Sequence, residues 1–322
     1  SEADEHTFFQ TGLIVSLTRP LSFMAYSDLL DYQPEDPEEK ELELLYRDRK
    51  AYAVGHGCAV EWDLGSSDVS VLSTTPMPII KIPPVIPAPK KFECLKMWEL
   101  SGKGLTDREE VATLLLELPA QYELWIEQQK SLISGLAPHF QETAAENLVK
   151  CDRALERISD GIQLLKEDDS ALEAFCLANE AMVLQQVHYS RAGRCCDENW
   201  EDFPVIPEGL SEYQGKWRVF QLAFILMNLR SSYRGFESSD REVVDLIWFP
   251  TGGGKTEAYL GLSAFTIFIR RLKNKSDGGC AILMRYTLRL LTIQQFQRAC
   301  SLISACEFMR KSGLQASLGE SE

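Results

Sequence analysis

Much that would mark a secreted or membrane-bound chain is missing here. No CxxC pair occurs, and the nine cysteines of the 322 residues show no even-spaced framework. That excludes a disulfide scaffold and fits a reducing compartment. The longest apolar run, Val219 to Met227 with Gln221 inside it, falls far short of the roughly 20 residues needed to span a bilayer. Neither a transmembrane helix nor a secretory signal is read, so the expectation is a cytoplasmic protein without membrane contact. Histidine is scarce, with four in all. His56, between two glycines, reads as a turn residue, and His188 with Cys195 and Cys196 reads as ordinary side chains before it reads as a zinc site.

Basic charge is also short, 33 Lys and Arg against 48 Asp and Glu, giving a net charge of −15. This balance does not exclude nucleic acid, because screening over about 8 Å lets a local basic patch act independently of distant acids. The charges do segregate. Residues 1–50 carry 12 acidic and 5 basic groups, whereas residues 267–311 carry 9 basic and 2 acidic ones.

What is present divides the chain into three expected parts. Residues 1–106 read as a β-containing amino-terminal domain, with β-like runs at 51–54, 58–63 and 69–72. Within it Pro34 to Lys50 reads as a charged helix and its lead-in, and the proline-rich stretch 76–89 reads as an extended edge or linker. Residues 107–200 read as a helical domain. Leu148, Cys151, Leu155, Ile158, Ile162 and Leu165 recur at alternating spacings of three and four, a packing seam weakened by Gly161, and Ser170 with Glu173 reads as a capping box. Residues 210–322 read as the start of a doubly wound α/β lobe. A strand over 243–249, a helix apolar nearly all round over 257–271, a strand over 280–284 and a further helix follow in βαβα order. That last helix places Ile293, Phe296, Cys300 and Ile303 on one face and Gln294, Gln297, Arg298 and Ser301 on the other.

The chemistry concentrates at Pro250-Thr251-Gly252-Gly253-Gly254-Lys255-Thr256. Three glycines admit positive φ and close approach of a ligand, and their N–H groups together with the opening of a helix form an anion cradle. Lys255 is expected on the β and γ phosphates of ATP and the Thr256 hydroxyl on Mg²⁺. The expected cofactor set is therefore ATP with Mg²⁺, held by Thr251, Gly252, Gly253, Gly254, Lys255 and Thr256. Phe249 stands where the commonest phosphate-loop pattern has Gly.

These residues resemble motif I of the superfamily 2 helicases. Phe220-Gln221, with Gln221 34 residues before Lys255, is placed like that superfamily's Q-motif, whose glutamine reads the adenine edge. Thr287-Leu288-Arg289 with Gln294 is similar to motif Ia, which holds one strand's sugar-phosphate backbone. The longer strings 248–262 and 284–292, with 52–59 less closely, resemble the helicases of DISARM anti-phage systems. The resemblance implies a RecA-like lobe and ATP-driven work on duplex DNA in a prokaryotic cytoplasm, beside a DrmB-like protein and a methyltransferase.

Departures limit what these residues can do unaided. Arg285-Tyr286 replaces the proline common before motif Ia, and no Asp-Glu pair follows Thr256. Phosphoryl transfer needs an acid on Mg²⁺ and a positioned water as well as the cradle, so binding without hydrolysis is expected of this stretch alone. The first residue is Ser and only 67 residues follow Lys255, so a portion of something longer is expected. The competing reading is a nucleotide-regulated module that binds DNA or partner proteins without motor activity. An unrelated phosphate-loop kinase ranks lower, since it leaves Gln221 and Thr287 to Gln294 without a role.

Overall fold

The computed structural model describes residues 11–18, 21–26, 34, 36–62, 68–77, 92–192, 215–234, 242–248, 252–286 and 289–319. They fall into two compact units, Ser1–Pro84 with Ser131–Asn147 and Val85–Lys130 with Leu148–Glu322.

The first unit contains the chain's antiparallel sheet. Strand β1 (Ile14–Ser16) and strand β2 (Ala59–Trp62) flank strand β3 (Val71–Thr75) in the order β1-β3-β2. The register sets Val15 opposite Leu72 and Val60 opposite Thr74. Two of the three β-like runs become strands, while 51–54 stays irregular and sends Tyr52 edge-on to Trp62, with ring centroids 5.7 Å apart. Helix α1 (Pro37–Tyr46) forms where the charged stretch was expected. The Asp36 carboxylate accepts from the Glu38 and Glu39 N–H groups at 2.8 and 3.4 Å, and Pro37 has no N–H to leave unpaired. No residue of α1 is buried, so its acids form a solvated face.

The second unit is helical. Short helices α2 (Met97–Leu100) and α3 (Glu110–Leu114) precede α4 (Glu117–Leu132). Next come α5 (Pro138–Glu167, whose residues from Leu148 belong to this unit) and α6 (Asp169–Ala192). Helices α7 (Val219–Arg234), α8 (Lys255–Lys273), α9 (Arg289–Met309) and α10 (Gln315–Leu318) complete it. Helix α6 packs on α2, α8 and α9, and α7 packs on α8. The seam residues Leu148, Ile158, Ile162 and Leu165 are all buried, as their spacing requires. Asp168, two residues before the Ser170 expected to cap α6, performs that task by accepting from the Ala171 N–H at 2.8 Å. The helix accordingly opens at Asp169.

One core runs through this unit without a break between the 107–200 and 210–322 stretches. Phe175, Met182, Leu184, Trp217, Leu222, Phe265, Phe268 and Leu302 belong to the same buried cluster. The buried Trp217 indole donates to Asn179 Oδ1 at 2.8 Å, and Asn179 returns its amide to the Phe175 carbonyl at 2.9 Å. An amide left bare in this core would cost about 1–3 kcal/mol. Gly261 of α8 is where that indole rests, for a Cβ there would stand 2.6 Å from it.

The expected parallel sheet does not form among the described residues. Segments 242–248 and 280–286 carry no strand pairing, and Val244, Leu246 and Trp248 are 92, 84 and 91% exposed. A strand is completed by the neighbour that satisfies its N–H and C=O groups, and no described residue supplies that neighbour. Helix α9 likewise faces solvent with Ile293, Phe296, Cys300 and Ile303, burying instead Leu302, Ala305, Cys306 and Met309.

Burial in this core pushes the Cys94, Cys176 and Cys306 thiols up to about 12, with the Glu117 carboxylate adding to the effect at Cys94. Alkylation at pH 8 should therefore mark Cys280 and Cys300, which are exposed, long before those three. Peptide mapping by mass spectrometry reads the order. Because the folded thiols hold their protons more tightly than unfolded ones, their stabilising contribution is complete below about pH 8.5. It declines as pH rises toward 12, and the melting temperature should fall across that interval.

Candidate nucleotide-binding site

Helix α8 opens at Lys255 directly behind the glycine triplet. Gly254 is its N-cap with φ of 83° and ψ of 27°, and no side chain caps it. Gly252 also has a positive φ, 80°. Left-handed glycines on either side of Gly253 turn successive N–H groups toward one side, which is the geometry of an anion nest. The dipole of a 19-residue helix ends on the same spot. A Cβ added to Gly252 would meet nothing within 4 Å, so a ligand can approach that backbone closely.

The loop is fastened from α7. Gln221, buried at the third position of α7, donates from Nε2 to the Gly254 carbonyl at 2.6 Å. Its Oε1 accepts from the Arg218 N–H at 2.7 Å, the return half of a capping box. Arg218 in turn donates from Nη1 to the Gly253 carbonyl at 2.8 Å. Two carbonyls of the loop are thus tied back toward α7. Gly254 cannot carry a side chain without disturbing this tie, since a Cβ would lie 2.7 Å from Gln221 Nε2.

The electrostatics beside the loop are set by an ion pair from the next helix. Glu257 in the first turn of α8 points toward Gly254, its Oε2 only 3.3 Å from where a Gly254 Cβ would stand. Arg298 of α9 pairs with its other oxygen. A lone carboxylate here would oppose a phosphate, and the guanidinium offsets that charge. Thr256, the second residue of α8, is half-buried beside it.

Of the residues expected in the site, the fold brings Gln221, Gly252, Gly253, Gly254, Lys255 and Thr256 together. Gln294 lies exposed on α9, and Arg289 opens that helix. Thr251 and Thr287 lie outside the described residues. No cluster of three metal-ligating side chains occurs among the described residues. Arg218, Glu257 and Arg298 were not expected. A signal for Arg218 existed, because Gln221 three residues on completes a capping-box spacing. The Glu257–Arg298 pair has a sequence separation of 41 and no local signature.

A groove of about 1350 Å³ opens beside the site. Helices α7 and α8 supply Tyr233, Tyr259, Leu262 and Thr266, and the unpaired segments supply Val243 and residues 280–286. Arg270 and Asp277 line it as a bidentate pair at 2.8 Å, and the guanidinium holds the Asp277 carboxyl below the usual carboxylate range.

No family model matches the chain. The chain resembles the DISARM protein DrmA of Bacillus paralicheniformis, with 39% identity over 287 residues covering 84% of this chain. It spans about a quarter of the length of that curated relative, 24%. No helix among the described residues is long and apolar enough to cross a membrane.

Proposed function

We propose that the chain is part of a DISARM anti-phage defence component, and that it forms the ATP-binding portion of an ATP-dependent DNA helicase or translocase. The observation that carries the reading is the glycine loop at the head of α8, left-handed at Gly252 and Gly254 and tied through Gly254 to Gln221. The likeness to DrmA supplies the biological setting. In this reading the N–H groups of 252–256 surround the β and γ phosphates of ATP, Lys255 neutralises them, and Thr256 holds Mg²⁺.

The fold class follows from the same reading. Segments 243–248 and 280–284 would pair as strands of a RecA-like lobe once neighbours are supplied, and the groove between them and α8 is the room for those strands, which sit about 4.8 Å apart. The alternating exposure of Val244, Leu246 and Trp248 supports a strand awaiting neighbours. Thr287, Arg289 and Gln294 are assigned to a DNA backbone, and a DrmB-like protein is the expected partner. Gln221 serves the adenine through the loop it fastens as much as by direct contact. Hydrolysis needs an acid on Mg²⁺ from beyond these residues.

Titration with a fluorescent ATP analogue in the presence and absence of Mg²⁺ tests the binding step. Saturable binding that Mg²⁺ strengthens is the expected result, and none at millimolar nucleotide would overturn the reading. Applied to a full-length DrmA-like protein, DNA-stimulated ATP turnover distinguishes a motor from a nucleotide-regulated binding module. Binding without turnover on DNA selects the module.

A further inference from the structure

The glycine loop is held from its exit side by α7, but its entry side, residues 242–248, has little apolar packing, since Val243, Val244, Leu246 and Trp248 face solvent. A charged residue from a different part of the chain holds it. Arg157 of α5 donates from Nη1 to Asp245 Oδ1 at 2.5 Å and from Nη2 to Oδ2 at 2.8 Å, the fork-on-carboxylate geometry. The two side chains are only 15 and 17% exposed. Nη2 also reaches the Met227 carbonyl of α7 at 3.4 Å. Asp245 stands nine residues before Gly254, and α7 carries Arg218 and Gln221. One guanidinium thus ties the entry segment to the helix that ties the exit.

We propose that Arg157 is a positioning residue for nucleotide binding, acting through Asp245 to hold the entry of the phosphate loop in register with α7. The inference rests on the nucleotide-binding reading above. It gives the helical stretch before the lobe a role in the site, for the seam helix α5 carries the group that sets where the loop begins. The geometry matters more than the charge. Lysine keeps the charge but loses the planar fork, so it holds Asp245 at one oxygen only.

The test uses the chain as it stands, with an ATP analogue and Mg²⁺ as probe and backbone hydrogen exchange as a second readout. Arg157→Gln and Asp245→Asn should each weaken nucleotide binding about 10- to 100-fold and speed exchange over 242–256, with α6 unchanged. Arg157→Lys should fall between these and wild type. The double exchange Arg157→Asp with Asp245→Arg should recover affinity to within about threefold, which a general loss of stability would not. Arg230→Gln breaks the neighbouring pair with Asp160, which touches no loop residue, and should leave nucleotide affinity unchanged. Equal affinity in wild type and Arg157→Gln overturns the inference while leaving the nucleotide site intact, as does an equal loss in Arg230→Gln. If wild type binds no nucleotide, the nucleotide-binding reading fails and the positioning role falls with it, whatever the exchange over 242–256 shows in Arg157→Gln.

Discussion

Replacing Lys255 with alanine should reduce affinity for Mg²⁺-ATP by roughly 10- to 150-fold, the equivalent of losing one charge-assisted contact worth about 1.5–3 kcal/mol. The folded state should survive the change. Lys255 is the first residue of α8, where alanine is the best helix former, and the buried face of that helix begins at Ala258. Far-UV circular dichroism and the melting temperature should therefore match wild type while the binding isotherm shifts. Adenosine, which has no phosphates, should bind both proteins equally weakly. If the alanine protein kept its affinity for ATP, the loop would be a structural turn and not a phosphate cradle. In a full-length DrmA-like protein the same change should abolish DNA-stimulated turnover, since the lysine neutralises charge that grows during transfer.

The second large effect falls on stability. Gly161 lies inside α5, nearly two turns from its end, where glycine ordinarily costs about 1 kcal/mol relative to alanine, so an exposed Gly161→Ala would be a stabilising change. Here the sign reverses. A Cβ at Gly161 would overlap the Leu226 carbonyl oxygen of α7 and stand 2.9 Å from its carbon. Both are backbone atoms, so relief requires the helices to separate. Separation would also strain Arg230 against Asp160, now at 2.6 Å, and the Arg157 contact to Met227. Gly161→Ala should cost about 3 kcal/mol, and Gly161→Val more, as overpacking of a tight contact does. Denaturant unfolding measures it through a lower midpoint at unchanged slope. A midpoint at or above wild type for Gly161→Ala would show that α5 and α7 do not meet there.

Gly161 also shows where reading the sequence stops. Its spacing among Ile158, Ile162 and Leu165 identifies it as lying on the apolar seam, and by propensity it looks like a flaw in the helix. Its purpose is visible only when the partner helix is in place, because periodicity names a face and not what the face touches. The same holds for Gln221. Its position before the glycine loop was legible, but its two hydrogen bonds, one closing the N-terminus of α7 and one on Gly254, depend on α7 lying against the head of α8. In α9 the heptad-like stripe Ile293, Phe296, Cys300 and Ile303 invites a buried reading, yet those side chains are exposed or face solvent. An amphipathic pattern records that a face is suited to burial, and burial itself needs a second surface.

The sequence by itself determined the local matters: that a helix follows the glycine triplet, that the triplet can take positive φ, the solvated helix after Asp36, and the buried seam of α5. Each is settled by residues within about one or two helical turns, where sterics and capping act directly. Only the tertiary structure decided the ion pairs around the glycine loop, Arg157 to Asp245 across 88 residues and Arg298 to Glu257 across 41. It also decided that residues 243–248 and 280–284 stand unpaired among the described residues. Such pairs form between groups that local preferences cannot bring together, and a strand, unlike a helix, takes its hydrogen bonds from elsewhere in the chain.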